Sequence, residues 1–575
     1  MTPQKFKDET LRALTDTVEA IARRSPTVLL FEDAHWADPT TLEALDLQIQ
    51  RLLGVPLLIV ITHRPEFASR WSQYSHVTTL GLAKLTRAQT VAMVSRVADG
   101  KALPEDLLEQ IIAKTDGVPL FVEELTKSIL EAGNLRDTGD RWEYAGSRGA
   151  LSIPSTLRDS LMARLDRLAP VREVAQIGAA IGREFSYELL AVVAPHTQPE
   201  RDRALAQLVE SGLAFQQGTP PDAVYTFKHA LVQDAAYDSL LKRRRQDLHA
   251  KIARVIEEGH PNAAATEPEL LAHHYTEAKQ PERAIPLWHK AGELALKRMA
   301  LAEAIAHLNK GMELIAALSP SAERDKMELD LRCLLGTVWI ALKGWPSQEV
   351  WDSLHPALEL ANSLRRSDAL LPILFGLWVN MLCTGRIAES LRWVMQTLGD
   401  AEAYRDPNLL LVGHTIALIN YFWLGELIKV REHADQVLAV YTDERHGDVI
   451  GVLAHDPKTE SLAYLAQVVC MLGYPEQAVK IHDVEEAHAR RLGHPFDLGW
   501  ALTVGAMVFD HLGEPEEQLK RAEEAKRLGR ETSMPLLTYI LGPVMAGIAL
   551  IRMRRFAEGM VSLRAGLAHV YLFPV

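Results

Sequence analysis

From residue 268 to the last residue the chain is patterned as one helix after another, and the pattern repeats. A helix, a short turn at Gly or Pro, and a second helix recur at "CTGRIAES" (383–390), "LGELIKV" (424–430), "LGYPEQA" (472–478) and "LGEPEEQ" (512–518). The glycines at 385, 425, 473 and 513 are 40, 48 and 40 residues apart, and "RMRRFAEG" (552–559) occupies the next turn. A helix pair of this kind cannot bury its apolar face alone. It buries that face by stacking on its neighbours, which produces a curved solenoid with a concave surface. The pattern predicts that residues 268–575 are almost wholly helical and fold without residues 1–258. The closing "SLRAGLAHVYLFPV" offers no polar capping helix, so an array continuing past this end is expected. Trp339, Trp378 and Trp423 fall late in successive first helices, where packing and partner contact are both open readings.

The N-terminal part is patterned differently. "TVLLF" (27–31) is a short apolar run without alternation, which suits a strand buried on both faces of a parallel sheet. Apolar residues at Leu42, Leu45, Ile49 and Leu52 then mark a helix, and "VPLLIVITHRPEF" (55–67) is a second buried-strand signal, stopped by Pro65. Strand, short helix and strand read as a parallel crossover unit. Glu32 and Asp33 would then share one sheet edge with Thr62 and Arg64, the edge where open α/β sheets bind ligands. Paired carboxylates beside a hydroxyl and a guanidinium suit a magnesium–phosphate centre. A carboxylate holds the cation or orients a water, and the Arg meets a phosphate. The alternative is that both acids are loop residues ahead of a helix capped by Asp38 or Thr40.

These segments resemble a known family. "VLLFEDAHWADPTTLEALD" resembles the Walker B segment of a STAND-type AAA-related ATPase, and "VPLLIVITHRPEF" its following sensor strand. "IIAKTDGVPLFVEELTKSIL" (111–130) resembles the segment after the lid helices, with Gly117 and Pro119 as its G-x-P pair. "VYTFKHALVQDAAYDSLLKRRRQDLH" (224–249) resembles the close of the winged-helix region. "HHYTEAKQPERAIPLWHKAGELAL" and "AEAIAHLNKGMELI" resemble tetratricopeptide units. The likeness is to the ATPase-plus-repeat part of bacterial proteins that often carry a class III adenylate or guanylate cyclase domain. It implies ATP or ADP with Mg²⁺, Glu32 and Asp33 as metal-binding and catalytic residues, Thr62 and Arg64 facing the phosphates, and Gly117 and Pro119 shaping the adenine pocket. His229 is either the phosphate-contacting histidine that the resemblance implies or a structural histidine near a helix start.

One part of the family pattern is missing. The phosphate cradle G-x-x-x-x-G-K-[ST] occurs nowhere in the chain, and Gly100–Lys101, the only Gly–Lys pair, lies downstream and runs on into Ala102 and Leu103. Half of an ATP site is therefore expected, as in a chain truncated at its N-terminus, with ATP turnover weak or absent. Fold class is expected to be mainly α, with a partial α/β ATPase core and lid over 1–132, a winged helix over 151–258 and tetratricopeptide-like repeats over 268–575. The polar stretch 133–149 reads as a hairpin or linker.

Composition narrows the function classes. A net charge of −13 over 575 residues argues against a general nucleic-acid binder, although "LKRRRQDLHAKIAR" (241–254) would make one basic helix face. Cys333, Cys383 and Cys470 lie far apart in apolar patterns and fit buried thiols in a reducing, cytoplasmic compartment. The longest apolar stretches fall short of the ~18 unbroken residues of a spanning helix. No H-E-x-x-H or G-x-S-x-G occurs, and His482, His488 and His494, six apart, spread round a helix instead of forming a ligand face. The expected function is that of an ATP-dependent signal-transduction regulator whose repeats bind a protein or small-molecule ligand, with oligomerisation open. The alternatives are a non-catalytic repeat scaffold, or a LuxR-type regulator without its DNA-binding domain.

Overall fold

The computed structural model describes residues 3–145, 154, 156–166, 169–259, 262–442, 449, 455–532 and 534–570. The chain is mainly α-helical and packs as two compact units, one of residues 1–64 with 288–575 and one of residues 65–287.

The first unit opens with helix Pro3–Arg24, strand β1 (Thr27–Phe31), a 3₁₀ turn Ala34–Trp36, helix Pro39–Arg51 and strand β2 (Leu57–Ile61). β1 and β2 pair in parallel, with Thr27 opposite Leu57 and Phe31 opposite Ile61. The expectation of burial on both faces is corrected. Val28, Leu30 and Leu58 are 66%, 57% and 59% exposed, while the alternate residues are half-buried. The sheet has two strands, and no described residue covers its second face.

The same unit carries the repeats from Trp288 onward, whereas residues 268–287 belong to the second unit. Helices Ala322–Lys343, Gln348–Leu364, Ser367–Cys383, Ile387–Tyr404, Pro407–Trp423, Leu427–Val440, Pro457–Met471 and Pro475–Leu492 stack in chain order around one apolar core. Gly385, Gly425, Gly473 and Gly513 sit in the turns with φ of 77°, 78°, 93° and 73°. This left-handed conformation strains an L side chain, which explains why glycine punctuates the array. Two first helices contain π-helical turns, Ala501–Gly505 and Leu536–Leu541. Gln467 donates to the Val504 carbonyl (3.1 Å), satisfying a group that the looser turn frees.

The repeats also contact the N-terminal segment. Thr40 bonds to Glu303, and Lys7 reaches the Met299 carbonyl (3.5 Å). The cysteines also differ from expectation: Cys333 and Cys470 are half-buried and Cys383 is exposed, all as free thiols. Among the described residues no helix is long and apolar enough to cross a membrane.

The second unit begins with helices Arg87–Val97, Glu105–Thr115 and Pro119–Leu130, followed by an antiparallel hairpin of β3 (Leu135–Asp137) and β4 (Trp142–Tyr144). The hairpin takes up part of the polar stretch; residues 146–149 lie outside the described residues. A winged helix follows. Helices Leu157–Asp166 and Ala169–Ile181 precede β5 (Glu184–Ser186), helices Tyr187–Val193 and Gln198–Glu210 come next, and β6 (Ala214–Gln217) and β7 (Val224–Phe227) form the wing. The strands lie in the order β5-β7-β6, all antiparallel.

The basic run lies on helix Lys242–Gly259, and its charges are largely engaged within the fold. Arg244 pairs with Glu173 (3.2 Å), Arg245 lies over the Tyr237 ring (4.2 Å), and Lys251 donates to the Val193 carbonyl (2.8 Å). The opposite face buries His249, whose Nδ1 lies 2.8 Å from Nδ1 of buried His274 and whose Nε2 lies 2.8 Å from the Tyr237 hydroxyl. Burial pushes both imidazoles well below the usual range; His273 and then Arg245 lower His249 further, and His249 and then His273 lower His274. Below about pH 6.5 the unfolded chain therefore binds more protons at these sites than the folded chain. Stability is full above that pH and falls as the pH drops through the lowered values. The expected loss from the two together is on the order of 6 kcal/mol by pH 4. A pH series of thermal unfolding checks it, and a His249→Phe/His274→Leu variant should flatten the acid limb.

Candidate functional site

The acidic loop is built by the ends of β1 and β2. Asp33 adopts φ 56°, ψ 46°, a left-handed conformation in which Asp is among the tolerated residues. Its amide donates to Thr62 Oγ1 (2.9 Å), and the Ala34 amide donates to the Thr62 carbonyl (2.8 Å). Thr62 itself donates to the Phe31 carbonyl (3.0 Å). Thr62 thus shapes the loop that carries the carboxylates, and its hydroxyl is engaged with backbone. Glu32 and Arg64 are exposed on the same edge, and Asp33 is half-exposed. Trp36 is 69% exposed, and both ring nitrogens of its neighbour His35 are buried without a hydrogen-bond partner.

Beyond the loop, Asp38 caps helix Pro39–Arg51, accepting from the Thr41 amide (2.8 Å) and hydroxyl (2.5 Å). Burial works against its ionisation, but the Thr41 bonds outweigh that and hold the carboxyl below the usual range. Glu303, from helix Leu301–Ile315, accepts from the Thr40 amide (3.0 Å) and hydroxyl (2.7 Å) on one oxygen. No sequence signal links these two residues, which are 263 positions apart.

Gly117, Pro119 and His229 belong to the second unit. Gly117 has φ 70°, and its carbonyl accepts from the Leu85 amide (2.8 Å). A Cβ at that position would collide with the Leu85 carbonyl oxygen, so the backbones approach closely only because the residue is glycine. Pro119 is the first residue of helix Pro119–Leu130, where its missing N–H costs nothing. His229 precedes helix Ala230–Asp238 without capping it, and its Nε2 is buried with no partner. Burial, then Lys228, pushes its imidazole down, against the opposing pull of Glu124 and Glu123. It is therefore neutral at pH 7. Glu123 also pairs with Lys127 (2.6 Å) and Lys228 (3.4 Å), which ties the Pro119 helix to the segment carrying His229.

The sequence-selected residues thus fall into two groups. Glu32, Asp33, Thr62 and Arg64 come together in one unit, and Gly117, Pro119 and His229 lie in the other. Among the described residues no group of three His, Cys, Asp or Glu side chains is arranged to hold a metal ion.

The solenoid holds polar groups that the histidine spacing only hinted at. His488 Nε2 bonds to the Asp456 carboxylate (2.9 Å), which also accepts from the Thr459 amide (2.8 Å). His482 Nδ1 bonds to Glu485 (3.1 Å), and His494 Nδ1 to Asp497 (2.7 Å). His482, Glu485 and Asp456 are wholly buried. Burial raises the Glu485 and Glu460 carboxyls, while the hydrogen bonds that His482 donates to Glu485 and Glu486 outweigh burial and raise its imidazole. Of these, the His488–Asp456 bond joins two helices, whereas the other two are local contacts three residues apart.

No protein-family model matches the sequence. An uncharacterized protein of Rhizobium meliloti (strain 1021) is 28% identical over 478 residues, covering 82% of this chain and 46% of that protein. The chain thus spans under half the length of the curated relative it matches. Among solved structures, the Signal Transduction ATPase with Numerous Domains protein with a tetratricopeptide repeat sensor from Pyrococcus horikoshii aligns over 98% of this chain and 83% of its own. Its identity is 13% and its TM-score 0.35. Aspartyl phosphate phosphatase F of Bacillus subtilis aligns over 68% of this chain and 92% of its own, at 12% identity and a TM-score of 0.38. Scores this low transfer neither a site nor a function.

Proposed function

We propose that this chain is the sensing part of a nucleotide-responsive signal regulator, with half of a Mg–ATP site at the Glu32–Asp33 loop and a ligand-binding helical solenoid. The observation that carries the reading is the parallel β1–β2 pair. Its C-terminal edge presents Glu32, Asp33 and Arg64 on a loop held by Thr62, in the same packed unit as the repeats. Asp33 or Glu32 would hold the cation or orient a water, and Arg64 would meet a phosphate. Gly117, Pro119 and His229 are assigned to the adenine and phosphate ends by resemblance. Fusion to a nucleotide cyclase rests on resemblance alone.

The residues present fit this group only in part. Residues 1–64 contain a single glycine, Gly54, so no glycine-rich turn of backbone amides faces the carboxylates from within this segment. Affinity is therefore expected near Kd ~1 mM, about −4 kcal/mol. Hydrogen exchange tests it: Mg–ATP at about 10 mM should protect residues 32–36, and Asp33→Ala should remove that protection. Absence of protection would overturn the nucleotide reading, and micromolar affinity lost in Asp33→Ala would overturn the half-site. The bare face of β1 and β2 and the exposed Trp423 favour a second reading, a non-catalytic interaction scaffold.

A further inference from the structure

Two helix ends clamp the N-terminal segment to the start of the repeats. At one, Glu303 in the first turn of helix Leu301–Ile315 sits on the N-terminus of helix Pro39–Arg51, taking the Thr40 amide and hydroxyl. A carboxylate there is favoured by the helix dipole and by amides that lack an intrahelical partner. At the other, Lys7 pairs with Glu43 (2.6 Å) and donates to the Met299 carbonyl (3.5 Å), in the turn ahead of that same repeat helix. The Lys7 side chain is only 15% exposed. Both clamps use residues that local folding of either segment does not need. Asp38 already caps the Pro39 helix through Thr41. Glu303 is thus a second carboxylate on that helix end, supplied from the repeats.

Its position matters because the Pro39 helix leaves the acidic loop directly. Asp33 and Ala34 are held from one side by Thr62, and five residues after Ala34 the chain enters the helix whose first turn Glu303 holds. We propose that Glu303 is a latch by which the repeat helix Leu301–Ile315 fixes the Glu32–Asp33 loop, so that movement of that helix on ligand binding frees the loop. The latch rests on the nucleotide reading for its purpose, but its mechanics do not. Coupling of this kind is reciprocal: a ligand at the loop must also change the first turn of the repeat helix.

Hydrogen exchange on the full chain tests the latch. Glu303→Ala and Thr40→Val should each raise exchange of the residue 33–36 amides about tenfold, and Thr40→Ser should restore it. Exchange in the distant helix Pro407–Trp423 and the helical circular dichroism should stay unchanged, which separates release from unfolding. A rise confined to residue 40 would make Glu303 a local cap and overturn the proposal. In the wild-type chain Mg–ATP should alter exchange at residues 301–304, and in Glu303→Ala it should not. If Mg–ATP leaves residues 32–36 of the wild-type chain unprotected while Glu303→Ala still frees them, the nucleotide reading fails and the latch stands. If Mg–ATP protects the loop but Glu303→Ala leaves its exchange unchanged, the latch fails and the nucleotide reading stands.

Discussion

Trp378→Ala should destabilise the repeat unit by about 3–5 kcal/mol, whereas Trp423→Ala should cost only about 1–2 kcal/mol. Trp378 is 2% exposed, packs against Phe375 at 5.8 Å between centroids, and donates from Nε1 to Asn420 Oδ1 (3.2 Å). Asn420 in turn accepts from Ser390 and donates to the Ile387 carbonyl (3.2 Å), so the indole closes a polar tie across successive repeats. Removing it opens a cavity and takes away one of those bonds. Trp423 ends its helix 56% exposed, edge-on to Phe422, and its indole also hydrogen-bonds the buried Tyr464 side chain. Trp339 is half-buried, with Lys343 over its ring, and should fall between the two. Thermal unfolding of the three variants orders them. If Trp423→Ala is as damaging as Trp378→Ala, Trp423 is a packing residue and drops out as a partner contact.

The tryptophans show what the sequence carried and what it did not. Comparable places in the repeat pattern put all three late in first helices, but exposure depends on which face the next repeat covers. One chain's periodicity does not report that. The glycines were more legible, because a left-handed turn is a local requirement that glycine meets at once. The strand pair was legible in type and pairing, since an apolar run without alternation marks β structure. Its bare face was not, because coverage depends on what else packs there. Asp33 and Thr62 were readable as neighbours once the crossover was recognised. The contact of Thr40 with Glu303 was not, as no short-range pattern spans such a separation. Burial of Glu460 and Glu485 likewise carries no mark in the sequence, since it follows from neighbours distant in the chain.

Arg164→Ala should cost the second unit about 3–5 kcal/mol, because it strands a carboxylate in the interior. The Arg164 and Glu124 side chains are each 2% exposed and bonded to one another. Arg164 also grips Glu131 through Nε (2.9 Å) and Nη2 (2.8 Å), and donates to the Ser211 carbonyl (2.7 Å). One guanidinium therefore joins helix Pro119–Leu130, helix Leu157–Asp166 and the end of helix Gln198–Glu210. Burial works against its charge, but Glu124 and then Glu131 more than offset that. Replacing both partners, as Arg164→Met/Glu124→Leu, removes the stranded charge together with its counter-ion. The double variant should therefore be more stable than Arg164→Ala. Lysine cannot reproduce the fork that holds Glu131 and Glu124 together, so Arg164→Lys should rescue only part of the loss. The loss should also be felt at His229, whose charged form Glu124 favours while burial and Lys228 oppose it. With Arg164 gone, Glu124 faces His229 without its neutralising partner, and the imidazole should titrate at higher pH than in the wild-type chain. A histidine NMR titration of Arg164→Gln, which removes the positive charge while keeping a polar side chain, reads this directly. An unmoved His229 titration would mean that Arg164 holds the helices together without setting the field at that histidine.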